Sequence, residues 1–305
     1  MPVPDRWGRL ATLLLVGVTA TWGSTFFLIK DLVTTVPPTD FLAVRFSIAA
    51  AAMAAVFHRQ LRALSRRDVR LGVVLGLLYG SAQVLQTMGL QHTDASVSGF
   101  ITGTYVVLTP VFGALLLRDR IRPIAWVAVG LATVGLAILS LRGLSMGLGE
   151  TQTLIAAAIY ALHIVGLGRW STARTAVGLA TVQAGVIAAI CVVAAAPGGI
   201  TLPQGGTQWA SMLYMALIAG ASALWAQTWA QAHLTATKAA LVMALEPVFA
   251  AFFAVLFGGE SLTARMLLGG ALVIAATYLV EWRPRGDAQA SARDDPPAEA
   301  LHHEA

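Results

Sequence analysis

Apolar runs of about 20 residues alternate with short polar breaks along nearly the whole chain. A helix of about that length crosses the ~30 Å hydrocarbon core of a bilayer at a rise of ~1.5 Å per residue. Ten runs can be counted, at 10–30, 39–57, 70–90, 95–117, 123–141, 150–168, 175–196, 208–232, 236–258 and 262–282. The pattern therefore predicts an all-α integral membrane protein with ten transmembrane helices.

The two ends of the chain break this pattern in different ways. The first run is too long for the apolar region of a signal peptide, and nine more runs follow it, so we interpret it as a retained helix. After Trp282 the composition becomes polar, and residues 284–305 are predicted to form a disordered cytoplasmic tail. We interpret His302 and His303 as part of that flexible tail rather than as a metal site.

Composition and charge agree with a membrane protein. Hydrophobic residues make up 57% of the chain and charged residues 11%, whereas a soluble domain carries roughly a quarter charged residues. The formal net charge of +5 comes from short basic clusters between apolar runs, which favours anionic lipids as partners and argues against nucleic acid. The single cysteine, Cys191, lies in an apolar run, so we expect no disulfide, metal or cofactor site.

The basic residues also predict the orientation of the chain. If the N-terminus is cytoplasmic, sixteen Lys and Arg residues fall in cytoplasmic segments and three in outer ones. Such an excess is typical of cytoplasmic loops, so we expect both termini to be cytoplasmic. Of the 20 basic residues only Lys30 and Lys238 are lysines, a bias that favours a GC-rich bacterial genome and hence a bacterial plasma membrane.

The two halves of the chain share a layout. Equivalent residues are His92 and His233, and Asp119 and Glu260, at a shift of 141, and Trp22 and Tyr160, and Arg45 and Gln183, at a shift of 138. We predict two repeats, 1–145 and 146–283. Each repeat holds five spans, an odd number, so the second must enter the bilayer from the opposite side. Inverted repeats of this kind suit transport by alternating access.

Four stretches carry a resemblance to a known family. They are ATWGSTFFLIK (20–30), FLAVRFSIAAA (41–51), GFITGTYVVLTPVFGALLLRDRI (99–121) and ALEPVFAAFFAVLFGGESLTARMLLGGALVIAATYL (244–279). The chain resembles EamA-domain proteins of the drug/metabolite transporter superfamily over roughly 10–282. The resemblance implies ten helices in two EamA repeats and the transport of small solutes. The first repeat departs from the family pattern, with Arg118 and Asp119 where Gly-Glu is common.

Two ionisable residues inside predicted spans are candidates for function. Such groups are costly in lipid unless they are paired or face a cavity. Glu246 precedes Pro247, which can bend the helix and open a polar pocket, so Glu246 is predicted to bind a substrate amine, to couple transport to protons, or to form a structural ion pair with Arg45. Arg45 itself is interpreted as structural, through Glu246 or Asp40 or by reaching the interface.

Neutral polar residues mark a predicted substrate cavity. Tyr79, Gln83 and Gln86 share one face of the third predicted helix, opposite a ridge of glycines at 72, 76 and 80 that suits close packing. The other candidates are Trp22, Tyr160, His163 and Gln227. The alternatives to cavity lining are hydrogen bonds between helices and, for His163, a proton relay.

These features together predict a secondary transporter that exports small metabolites, such as amino acids, as a monomer or homodimer. A polytopic membrane enzyme and a membrane scaffold are the alternatives. The sequence has no HExxH or GxSxG motif and no ATP-binding loop, which argues against the enzyme and against transport driven by hydrolysis within this chain.

Overall fold

A computed structural model of the protein describes residues 6–32, 35–89, 91–92, 95–140, 147–257 and 261–281. The predicted tail therefore lies outside the described residues. The described residues form α1 (Arg6–Leu32), α2 (Pro38–Val56), α3 (His58–Arg62), α4 (Arg66–Gly89), α5 (Ala95–Gly103), α6 (Tyr105–Leu117), α7 (Pro123–Ser140), α8 (Leu148–Trp170), α9 (Ala176–Ala195), α10 (Gly206–Ala216), α11 (Ala223–Gln231), α12 (Ala236–Met243), α13 (Glu246–Leu256) and α14 (Ala264–Glu281).

The helices account for the ten predicted apolar runs. Six segments are long and apolar enough to cross a membrane, and three shorter apolar helices and α1 supply the rest. The short helix α3 lies in a polar connection. Three spans are composite: the fourth is α5 and α6, the eighth is α10 and α11 with a π-helix (Leu217–Ser222) between them, and the ninth is α12 and α13. The predicted all-helical, multi-pass architecture is confirmed.

Packing between the helices is symmetric under exchange of the two halves. The second span packs on the seventh, and the fifth on the tenth. The third span packs on the sixth as the eighth packs on the first, and the fourth packs on the sixth as the ninth packs on the first. Each of these named contacts thus has a counterpart in which both partners are replaced by their equivalents, as two five-span repeats of opposite orientation require.

A glycine ridge brings the third and seventh spans close together. A Cβ added at Gly72, Gly76 or Gly80 would lie 2.7–2.9 Å from side-chain atoms of α9. Those atoms belong to Val182, Val186 and Ile190. The packing predicted for this ridge is therefore confirmed, and it presses α4 of the first repeat against α9 of the second.

Two spans are broken near their middle. The fourth span breaks at Thr104, and Tyr105 begins its second helix; the ninth breaks at Ala244 and Leu245, and Glu246 begins its second helix. The ninth-span break is followed by Pro247, which has no backbone N–H to donate to the preceding turn. The helix is thus interrupted next to the proline at which a bend was predicted, and the interruption places Glu246 near the midpoint of a span.

Candidate functional site

Aromatic rings from the third and sixth spans meet inside the bundle. The Tyr79 ring lies 5.5 Å from the Tyr160 ring and 5.1 Å from the His163 ring, measured between centroids, and both contacts are edge-on. Phe46 of the second span approaches Tyr79 edge-on from another side, at 6.3 Å. Three of the residues predicted from the sequence therefore form one cluster where the two repeats face each other.

Tyr160 also joins this cluster to the two glutamines of α4. Its hydroxyl donates to Gln83 Oε1 at 2.6 Å and to Gln86 Oε1 at 3.0 Å. Since a phenol has one hydrogen, the two amide oxygens share it. Gln86 Nε2 in turn donates to Thr102 Oγ1 of the fourth span at 2.9 Å. The predicted polar face of the third span thus points at the sixth and fourth spans.

His163 is held by a glutamine that the sequence analysis did not select. Its Nε2 lies 2.9 Å from Gln183 Oε1, and both side chains are buried. An amide oxygen only accepts, so Nε2 must carry the hydrogen. Gln183 Nε2 donates to Thr228 Oγ1 at 3.4 Å, which links the sixth, seventh and eighth spans. The only sequence signal for Gln183 is its equivalence to Arg45.

Gln227 of the eighth span is linked to the sixth span through Gln231. Its Nε2 donates to Gln231 Oε1 at 3.2 Å and contacts Met243 Sδ at 3.5 Å. Gln231 Nε2 donates to the Ile164 carbonyl at 2.9 Å. The Gln227 Oε1 atom is buried and has no hydrogen-bond partner among the described residues.

Arg45 and Trp22 both bind the backbone of the eighth span. Arg45 donates from Nε to the Met215 carbonyl at 3.0 Å and from Nη2 to the Ala219 carbonyl at 3.1 Å. Trp22 Nε1 donates to the same Ala219 carbonyl at 2.9 Å. A π-helix shifts backbone bonding from i→i+4 to i→i+5, which leaves carbonyls available to side chains. The guanidinium also lies over the Phe46 ring, 5.2 Å from its centroid.

Glu246 lies close to this constellation without an ion pair. The residues before it, Ala244 and Leu245, belong to the same buried apolar cluster as Tyr105, and Tyr160 packs against that cluster. Among the described residues neither Glu246 nor Asp40 forms an ion pair with Arg45, whose Nε and Nη2 donate to carbonyls. Asp40 instead accepts from the Thr201 backbone N–H at 2.9 Å. The ion pair predicted for Arg45 and Glu246 therefore stays a prediction.

A cavity of about 380 Å³ opens beside this region. Its wall contains a hydrogen bond of 2.8 Å between Ser24 Oγ and the Tyr214 hydroxyl. The lining residues are Ala20, Thr21, Ser24, Leu28, Tyr214, Phe253 and Phe257. They come from the first, eighth and ninth spans. None of them was selected from the sequence, because no periodic polar face marks them.

Metal ligands do not converge in this region or elsewhere in the described part of the chain. No group of three His, Cys, Asp or Glu side chains there is placed to hold a metal ion. The chemistry that the site offers is therefore that of hydrogen bonds, aromatic faces and one carboxyl group.

Comparisons with known proteins agree with the fold. A sequence model of the EamA-like transporter family matches residues 9–141 and 147–282. An "uncharacterized transporter" from Archaeoglobus fulgidus is 31% identical over 274 residues, covering 90% of this chain and 86% of that protein. A crystal structure of a protein 17% identical in sequence superposes with a TM-score of 0.76 over 94% of this chain and 99% of its own, which shows a shared fold.

Proposed function

We propose, from the premise that this chain belongs to the EamA-like transporter family, that it exports small metabolites, amino acids or similar solutes, by alternating access. Membership of this family, which lies in the drug/metabolite transporter superfamily, makes the protein a multi-pass membrane transporter. The substrate class, the direction and the mechanism are the parts that we add.

The proposal is supported by a difference between equivalent helix contacts in the two repeats, which surround a polar centre. The third span lies close on the seventh through glycines, whereas the equivalent contact of the eighth span with the second contains the π-helix and Arg45. The two repeats therefore hold different conformations at equivalent places. If the two repeats exchanged those conformations, an opening between them would move from one face of the membrane to the other.

The topology that we propose follows from charge. With both termini in the cytoplasm of a bacterium, the arginine-rich connection between α2 and α4 faces the anionic inner leaflet. The repeats then correspond to 1–145 and 146–283, with 284–305 as a cytoplasmic tail.

Reconstitution tests transport directly. Purified protein in proteoliposomes loaded with a mixture of the twenty isotopically labelled amino acids is expected to exchange at least one of them with unlabelled external solute, and protein-free liposomes are not. Absence of exchange for all twenty would contradict the amino-acid part of the proposal. The same assay with a labelled bacterial metabolite extract extends the test to other small solutes.

A reversible cross-link tests alternating access separately. Cβ atoms at positions 80 and 190 lie about 3.5 Å apart, within the range of disulfides. In a Cys191→Ala background, oxidation of the pair Gly80→Cys and Ile190→Cys is expected to stop exchange, and reduction to restore it. The single-cysteine variants are the controls. Full exchange by the oxidised pair would show that the third and seventh spans need not separate.

A further inference from the structure

Two hydrogen-bond acceptors near the centre of the bundle lack donors. The first is the carboxyl group of Glu246, which has no hydrogen bond or ion pair among the described residues, Glu246 being only partly buried. The second is Gln227 Oε1, which is buried without a partner. Gln227 contacts Met243, and Glu246 lies three residues further along that span, so this part of the bundle offers acceptor capacity that its own side chains do not fill.

The side-chain atom of Gln227 that lacks a partner is identified as an oxygen by the hydrogen bonds of its neighbour Gln231. Gln231 Nε2 donates to the Ile164 carbonyl, which leaves Gln231 Oε1 facing Gln227. The Gln227 atom that meets this oxygen must be a donor, so Nε2 points at Gln231 and Oε1 points away. Rotating the Gln227 amide would set two oxygens against each other. The unfilled position therefore calls for a ligand that donates.

Gln227 of the eighth span contacts the ninth span close to Glu246. Gln227 Nε2 contacts Met243 Sδ at 3.5 Å, and Met243 precedes Glu246 by three residues, across the break at Ala244 and Leu245. Both α11 and α13 also pack against the first span. The two acceptors therefore lie on neighbouring elements of the bundle.

The cation that could neutralise Glu246 is committed elsewhere. Arg45 Nε and Nη2 bind two carbonyls of the eighth span, and its guanidinium lies over aromatic rings of its own helix. Tyr105 shares a buried apolar cluster with Leu245, the residue before Glu246, and Tyr160 packs against that cluster. Tyrosine rings attract a cation electrostatically.

We propose that the polar centre of the bundle recognises its substrate through a protonated amine, which binds Glu246 and Gln227 Oε1. The substrate then needs no carboxylate for this recognition. This inference rests on the proposed function and specifies which chemical group of the solute the protein binds. An amino acid then binds by its ammonium group, and the matching amine without the carboxylate binds as well.

Matched ligands test the proposal by binding to the full-length protein in nanodiscs, measured by calorimetry against empty nanodiscs. The probes are alanine, leucine and phenylalanine, each with its decarboxylated amine and its N-acetyl derivative. The amines are expected to bind at least as tightly as the amino acids, and the N-acetyl acids at least about tenfold more weakly. Binding of an N-acetyl acid as tight as that of its amine, or no binding by any of the amines, overturns the proposal.

Variants assign the effect to the two acceptors. Glu246→Gln is expected to weaken amine binding by about tenfold or more, since a charge-assisted hydrogen bond becomes a neutral one. Gln227→Met, of similar size, is expected to weaken it by about threefold to tenfold. Asp119→Asn, which removes an exposed carboxyl group, is the control and is expected to bind as the wild type does. Wild-type affinity in both Glu246→Gln and Gln227→Met overturns the assignment.

The outcome stays separable from that of the transport assay. If the proteoliposomes exchange solutes but the amines do not bind, transport stands and amine recognition falls. If no solute exchanges at all, the proposed function itself fails.

Discussion

Tyr105 and Glu246 occupy equivalent places in the two repeats. Each is the first residue of the second helix of a broken span, and 141 residues separate them, the shift that also relates His92 to His233. Tyr105 belongs to the same buried apolar cluster as Ala244 and Leu245, the two residues before Glu246, so the two positions lie near each other as well as being equivalent. One repeat therefore brings a neutral phenol to the centre of the bundle where the other brings a carboxyl group.

This proximity predicts that a second carboxyl group at position 105 is costly. Tyr105→Glu is expected to lower the free energy of unfolding by about 2–4 kcal/mol, because a buried carboxylate near Glu246 is desolvated and repelled. Tyr105→Phe is expected to cost less than about 1 kcal/mol. The measurement is denaturant unfolding in detergent.

A double-mutant cycle isolates the repulsion between the two positions. In a Glu246→Gln background the cost of Tyr105→Glu is expected to shrink, since the opposing charge is gone. An unchanged cost in that background would mean that the two side chains do not interact.

The backbone of the eighth span provides the second prediction. Arg45→Met is expected to cost about 1–3 kcal/mol of unfolding free energy, because it leaves carbonyls at Met215 and Ala219 with fewer donors in a buried place. Trp22→Phe removes one donor to Ala219 and is expected to cost about 1 kcal/mol.

These two changes should not be independent. Ala219 accepts from both side chains, so the double variant is expected to cost more than the sum of the single ones. Arg67→Met, at an exposed arginine in the first turn of α4, is the control and is expected to be neutral. Strict additivity would argue against a shared acceptor.

The course of the chain through the membrane could be predicted from the sequence because lipid imposes a simple rule. Each span needs about 20 apolar residues, and the ten predicted runs agree with the helices to within a few residues. The common face of Tyr79, Gln83 and Gln86 and the glycine ridge were also predictable, since both follow from helical periodicity within one span.

What the sequence could not predict depends on contacts between spans. The π-helix changes backbone hydrogen bonding without changing hydropathy, so no apolar pattern marks Leu217–Ser222. The partners of Arg45 are therefore carbonyls that side-chain identities do not reveal. Gln183 was missed because a single amide in an apolar run gives no sign that it faces a histidine.

Close packing of the third span predicts a sharp difference between two glycines. A Cβ at Gly76 would lie 2.7 Å from Val186 Cβ and 3.1 Å from the Gln183 backbone, whereas nothing lies within 4 Å of a Cβ at Gly185. Gly76→Ala is expected to cost about 1–3 kcal/mol through overpacking. Gly185→Ala is expected to be neutral or to stabilise by up to about 1 kcal/mol.

Thermal unfolding in detergent compares these two alanine variants directly. Gly76 lies on the third span and Gly185 on the seventh. Each substitution adds one methyl group, so the two differ chiefly in the space available for it. Equal melting temperatures for Gly76→Ala and Gly185→Ala would show that the two spans are not in close contact.

The proposed topology predicts opposite labelling of two exposed positions. Arg62 lies in the connection between α2 and α4, and Gln204 lies in the connection that precedes α10. In a Cys191→Ala background, a membrane-impermeant maleimide added to intact cells is expected to label Gln204→Cys and to leave Arg62→Cys unlabelled.

Permeabilised cells supply the control for this experiment, because both positions are exposed and both should then react. The physical reason for the expected asymmetry is that the arginines around position 62 are held at the cytoplasmic face, while the connection at 204 has no basic residue. Labelling of Arg62→Cys in intact cells would reverse the orientation. The direction of transport assigned to the two faces of the chamber would then reverse as well, although the symmetry of the repeats and the amine site would be unaffected.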